Sequence, residues 1–429
     1  MMNDSTFRKP LAVGRKGLPL LLLAVSLLAG CGGAQVKSAE EPDTPEIVQL
    51  LANKPEALQP LYRKLAREGG RNAVLNYQQI GVAALESGHK ELAGEAFDQA
   101  ISQINSIYAG TESAAKARSL WFEEGAKDFK GEPYERAMTF YYRGLIYLMN
   151  GDLENARASF KAAIEQDAFV EEDQYGSDFA LMYLLSGWAS QKLGNEEFAR
   201  EAFDQLLKLR PNFKLPPPDH NVLIIVETGN APRKLSDGMG HYQMKFRPGK
   251  HFVEQGARLQ VKGQTLAAFP MEDIFYQANT RGARAVDVIL KGKAVFRQTT
   301  ADVGNAMSQV AANAMVAAPL FDGGGSHVQS ISAGLGLVGA VTSMAAISSR
   351  PEADTRYWKN LPDKVHLATL HLEPAAGVMV QGEFLDERNQ VRPELARSAP
   401  IHFVNGHGVA WLRSRSALQR GDAWHNVFE

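Results

Sequence analysis

Gly131-Glu-Pro-Tyr134-Glu135-Arg136, followed by Phe140-Tyr141-Tyr142-Arg143-Gly144-Leu145-Ile146-Tyr147-Leu148 and closed by Asn150-Gly151-Asp152, decides how this 429-residue chain is read. In the run from Leu153 to Ile164 that comes next, Ala156, Phe160 and Ala163 recur at steps of three and four, one face of a helix. Two amphipathic helices joined by a tight turn are expected. Gly144 and Ala156 are small enough to let the axes approach, with Tyr147 and Phe160 filling the space beside them.

The same frame occurs twice more. Upstream, Tyr77, Ile80 and Gly81 precede a turn at Ser87-Gly88-His89 and then Ala93, Phe97 and Ala100. Downstream, Tyr183 and Gly187 precede Gly194-Asn195 and then Ala199, Phe203 and Leu206, ending at Pro211. Aligned on the glycine and on Ala-x3-Phe, Gly81, Gly144 and Gly187 are equivalent, and the unit is tetratricopeptide-like. The spacing is uneven rather than the roughly 34-residue step of a tandem array, so extra helical material such as Ala114 to Phe129 sits between units. In the general repeat pattern the concave groove is lined by first-helix positions that here fall on Gln78, Tyr141, Trp188 and Gln191, the candidate partner-binding residues. Core packing accounts for the apolar positions without a ligand.

The N-terminus carries an address. Arg8, Lys9, Arg15 and Lys16 precede Leu18 to Leu28, an apolar run too short to span a bilayer and suited to a signal peptide over 1–30. It ends Leu28-Ala29-Gly30-Cys31, and Cys31 is the only cysteine. This resembles the lipobox of bacterial lipoproteins, which implies lipidation of Cys31 and a palmitate-bearing membrane anchor. Gly32 and Gly33, where a retention signal would place Asp, imply the outer membrane, with the chain facing the periplasm. Residues 31–43 read as a tether, and Thr44-Pro45 as an N-cap with Pro in the first turn of a helix running to Gly69-Gly70.

The expected architecture is α+β: an irregular tetratricopeptide-like helical domain over 44–213, a Pro-rich linker over 214–220, and a β-rich domain with a few helices over 221–429. Val222 to Val226 suits a buried strand. Further strands are expected at 242–246, 258–261, 285–290, 293–297, 365–372 and 378–384, with a helix at 302–316. Ile401 to Val404 and Gly408 to Leu412 bracket Asn405-Gly406, a hairpin signal because both residues accept positive φ. Within the Gly-rich segment 320–349, Gly334-Leu-Gly336-Leu-Val-Gly339 matches the dinucleotide fingerprint literally. No buried strand precedes it and Arg350-Pro351 ends the following helix, so a small-residue helix packed on the domain or dipping into the membrane surface explains it better.

Hydrophobic residues make up 45% of the chain, enough for sizeable cores, and a net charge of -2 with scattered Lys and Arg leaves no footprint for nucleic acid. No HExxH, GxSxG or Walker A sequence occurs. His366 and His371, five apart on an expected strand, point to opposite faces and cannot share a metal. Glu383 and Asp386 straddle an expected turn, where acids are solvated. No enzyme class, cofactor or metal is therefore expected. Asp354, Arg356 and Trp358 read as a surface recognition patch, or as an ion pair and packed indole tying the Gly-rich segment to the β domain.

Three stretches carry a resemblance: Gly131 to Arg136 with its Tyr-rich helix and Asn150-Gly-Asp152, Glu227-Thr-Gly-Asn-Ala-Pro-Arg233, and Ala353-Asp-Thr-Arg-Tyr-Trp-Lys-Asn-Leu-Pro362. With them the chain resembles a family of proteobacterial envelope lipoproteins with periplasmic tetratricopeptide-like repeats. The resemblance implies a role in envelope assembly, since members occur beside small lipoproteins similar to activators of peptidoglycan synthases. The function expected is a membrane-anchored protein–protein scaffold with envelope-protein partners. The alternative is a glycan- or lipid-binding module built on Trp358, Trp411, Trp424 and the Gly-rich stretch.

Overall fold

A computed structural model describes residues 42–108, 128–168, 177–237, 243–279 and 354–418. Cys31, most of the stretch 114–129, the strands expected at 285–290 and 293–297, the helix at 302–316, the Gly-rich segment and Trp424 lie outside them. Residues 49–429 form one compact unit and the chain up to residue 48 another.

The helix expected to run from Thr44 to Gly69 is two helices, α1 (Pro45–Ala52) and α2 (Gln59–Glu68). Pro55 separates them, because it lacks an N–H and its ring disfavours helical backbone at the residue before it. Three helical hairpins follow: α3 (Ala73–Glu86) with α4 (Lys90–Tyr108), α5 (Pro133–Met149) with α6 (Leu153–Ala168), and α7 (Ala180–Lys192) with α8 (Glu196–Leu209). A Cβ built on Gly81 would lie 2.5 Å from the Phe97 ring and one on Gly144 2.5 Å from Phe160, with Gly187 and Phe203 in the same relation. The ring of each second helix therefore fills the notch left by the glycine of the first. Each turn passes through a glycine at positive φ: Gly88 at 78°, Gly151 at 73° and Gly194 at 75°. Tyr147 takes no part in the notch; it is half-buried, with the Arg143 guanidinium 3.8 Å over its ring.

The β half contains a five-stranded sheet in the order β10-β11-β1-β7-β6 and a four-stranded sheet in the order β5-β4-β8-β9. The first comprises β1 (Val222–Thr228), β6 (Phe269–Asp273), β7 (Lys364–Leu370), β10 (His402–Val404) and β11 (His407–Arg413). The second comprises β4 (Glu254–Val261), β5 (Gln264–Ala267), β8 (Met379–Asp386) and β9 (Arg397–Pro400). A separate ribbon pairs β2 (Arg233–Asp237) with β3 (Gln243–Arg247). The central strand β1 runs parallel to β11 and antiparallel to β7 and is buried along its whole length. Val222, Ile224 and Val226 point into a core shared with Leu259, Val380 and Phe384 of the second sheet. Alternation puts Leu223, Ile225 and Glu227 on the other face, toward the repeat helices. Burial on both faces is why this strand reads as an unbroken apolar run. The hairpin at Asn405-Gly406 forms, with φ of 51° and 82°, and a Cβ on Gly151 would strike Val404, so its tip is seated against the α5–α6 turn. A short helix, α9 (Ile274–Gln277), follows β6.

Candidate functional site

An outside ligand of a repeat array would sit on the inner, first-helix face, and here the chain fills much of that face with itself. Helix α5 is buried nearly all round, as a helix inside a core must be. Against it lies the extended segment Asp354 to Asp363. Trp358, fully buried, donates its backbone N–H to Glu135 Oε1 at 2.7 Å and its indole N–H to Asn360 Oδ1 at 2.5 Å. Asn360 Nδ2 donates to the carbonyl of Gln79 at 3.0 Å, and the indole lies 5.7 Å from Tyr142 and 6.3 Å from Phe97 between ring centroids. At one end Arg356 pairs with Asp354 at 2.7 Å and donates to Asn72 Oδ1 at 2.7 Å. The ion pair and packed indole thus exist and bind this segment to the repeat helices; the Gly-rich segment they were expected to tie lies outside the described residues.

Glu227 is the polar centre of the contact. It is fully buried and accepts from Tyr141 at 3.0 Å, Tyr142 at 2.9 Å and the Trp411 indole at 3.0 Å, with Arg413 at 3.4 Å. Arg413 also donates to the Asn360 carbonyl at 2.8 Å, joining strand, segment and helix. Burial raises the Glu227 carboxyl above its ordinary range against the pull of Arg413 and the three neutral donors. Beside it, Glu132 and Glu135 form a capping box at the start of α5, and the β2 lysine Lys234 pairs with Glu132 at 2.5 Å. Burial lifts Glu135 to about 7, with Lys234 opposing and Glu132 adding to the rise. Glu272 of β6, also buried, meets Arg210 at 3.2 Å, Gln277 at 3.1 Å and the Leu181 N–H at 3.2 Å. Burial lifts it also to about 7.

These contacts correct the assignment of the groove positions. Tyr141 is bound to Glu227, and Gln78, fully buried, donates to Thr139 at 2.9 Å. Trp188 is 1% exposed with the Lys192 ammonium 4.4 Å over its ring. In this arrangement none of the three meets solvent; Gln191 is half-buried. The physical reason differs by position: β1 covers Tyr141 through Glu227, whereas Gln78 is taken up by Thr139 of the neighbouring helix α5. Trp358 and Trp411 are buried too, which removes them as a glycan-binding surface. His366 is buried on Thr228 at 2.9 Å, while His371 lies past the end of β7 and turns to the Asp219 carbonyl at 2.7 Å. Glu383 sits within β8 and pairs with Arg258 at 2.7 Å; the Asp386 side chain accepts from the turn backbone at Arg388 and Gln390. The Pro-rich linker is pinned, with Lys192 donating to the Pro218 carbonyl at 3.1 Å and Asn221 Nδ2 to the Leu372 carbonyl at 2.9 Å.

Sequence reasoning assigned no role to Glu227, Glu132, Glu135 or Arg413. One signal was present: an acid closing an otherwise apolar buried strand has to find charged or donor partners inside the protein.

The interlocked hairpins correspond to a known repeat. Residues 135–169 and 180–213 match the tetratricopeptide repeat. The first hairpin, α3 with α4, repeats the glycine-to-phenylalanine notch. No curated protein matches the chain. Tetratricopeptide repeats suggest protein partners. Among the described residues no cluster of His, Cys, Asp and Glu is arranged to hold a metal ion, and no helix is long and apolar enough to cross a membrane.

Proposed function

We propose that this protein is a lipid-anchored scaffold of the cell envelope, held on the outer membrane through Cys31, facing the periplasm and binding envelope proteins rather than catalysing a reaction. The observation that carries the reading is the repeat array itself: three glycine-notched hairpins, two of them matching the tetratricopeptide repeat. The sequence Leu28-Ala-Gly-Cys31 behind an apolar run supports the anchor. The self-filled middle of the groove directs partners to surfaces still open, among them the outer face of α6 and α8. There Phe198 is 46% exposed, with Arg157 and Lys161 at 5.4 and 5.1 Å from its ring. An exposed aromatic flanked by cations is the composition of an interface anchor.

A photo-crosslinking residue at Phe198, or at Met379, which is 44% exposed at the start of β8, introduced in living cells, is expected to capture a discrete envelope protein. Capture of nothing above background at both positions removes the scaffold reading. Metabolic labelling with palmitate tests the anchor separately: label is expected in the chain and absent from Cys31→Ala.

A further inference from the structure

Among the described residues the far end of the groove is left open. Leu184 of α7, Phe213 of the segment after α8, and Phe269 and Leu367 of the five-stranded sheet wall a cleft of about 330 Å³, at the small end of ligand-site volumes. Phe213 and Phe269 meet edge to face with centroids 4.9 Å apart, so the apolar wall is already formed.

Two further observations say what fits there. Strand β6 pairs with β7 only as far as Phe269 opposite Leu367, because the chain before it turns to the other sheet, where Ala268 donates to the Ala257 carbonyl at 3.1 Å. Ala368, Thr369 and Leu370 consequently have β1 on one side and, among the described residues, no strand on the other. Ala368 and Thr369 border the cleft. The second observation is Lys214, which also borders the cleft, is exposed, and pairs with no carboxylate among the described residues. An open strand edge, an apolar hole and an unmatched cation together describe a receptor for strand addition. Backbone pairing supplies affinity, the pocket selects a side chain, and the charge selects sequence.

We propose that this cleft takes an extended, acidic peptide segment of a partner protein. The segment adds to β7 at Ala368 to Leu370, places a large apolar side chain between Leu184 and Phe269, and sets a carboxylate against Lys214. The inference rests on the scaffold reading and specifies the chemistry of its partner.

The test is selection of displayed random dodecapeptides on the full mature chain carrying Cys31→Ala, followed by binding and hydrogen-exchange measurements with the enriched peptides. The expected result is a shared pattern of one large apolar residue with Asp or Glu within two positions. Exchange should slow at Thr369, the one of the three whose N–H points away from β1, and Lys214→Glu, a surface change, should weaken binding by about tenfold or more. Failure to enrich any peptide, enrichment indifferent to Lys214→Glu, or binding without protection of Thr369 each overturns the proposal. So does retention on phosphatidylglycerol vesicles that the peptides fail to compete, which assigns the cleft to lipid. In-cell capture from Phe198 that persists in Lys214→Glu, alongside any of those outcomes, leaves the scaffold standing and removes only this site.

Discussion

The middle of the repeat groove and its far end are built on the same frame and end in opposite states. At α5 the inner face meets Glu227, Trp411 and the segment carrying Trp358, and the large side chains there are buried, with Tyr141, Tyr142 and Trp411 all donating to Glu227. At α7 the inner face meets β6 and β7, where, among the described residues, the shorter edge strand leaves a cleft, an open ladder edge and Lys214. The notches at Gly144 and Gly187 are alike, so the repeat itself does not decide the difference. What decides it is the strand each first helix faces. A repeat's inner surface is a ligand site only where the rest of the chain leaves it uncovered.

The largest expected effect tests the filled region. Glu227→Ala strands Arg413 in the interior and unpairs two tyrosine hydroxyls and an indole N–H; it should cost about 3–5 kcal/mol in urea unfolding. A cost as small as that of a surface change would break the contrast. The pH dependence comes next, since Glu135 lies in the filled region and Glu272 on the strand that borders the open one. Glu135 and Glu272 titrate near 7 when folded against an ordinary value of 4.5. Between those values the folded chain binds more protons than the unfolded one, so these two groups make stability fall as pH rises, by up to roughly 3 kcal/mol for each. Glu272→Gln should flatten part of that slope in thermal unfolding followed across pH.

Gly144→Ala and Gly187→Ala should each cost about 1–3 kcal/mol, because the added methyl displaces the phenylalanine ring of the partner helix. Similar values for the two would confirm by calorimetry that the frame is equivalent in both regions. At the open end Thr369→Val removes the hydrogen bond to His220, 2.9 Å long, and should cost about 1 kcal/mol. Lys214→Ala should lie within about 0.5 kcal/mol of the parent, a small value that separates a binding residue from one needed for folding.

Much of the frame was legible because it is local. The Gly and Ala-x3-Phe spacing marks the hairpins, and Asn405-Gly406 marks its turn through backbone conformations few other residues adopt. The unbroken run Val222 to Val226 announced a strand covered on both faces. In the two large sheets, β5, β6 and β9 went unread, and all three are edge strands, short and carrying polar residues or Pro270 and Pro400, whose pairing is imposed by a neighbour. The filling of the groove was illegible for a different reason. Trp358 meets Glu135 across 223 positions, and Asn360 meets Gln79 across 281. Nothing in the local pattern of Tyr141 or Gln78 distinguishes a position facing a foreign peptide from one facing the chain's own segment.

The sequence by itself determined which stretches coil into notched hairpins and which pair as strands, since side-chain volume and backbone freedom act within a turn or two. Only the tertiary structure decided which parts of the inner face are closed and which stay open. That outcome depends on how far β6 extends along β7 and on where a buried acid finds its donors, and both follow from contacts between residues remote along the chain.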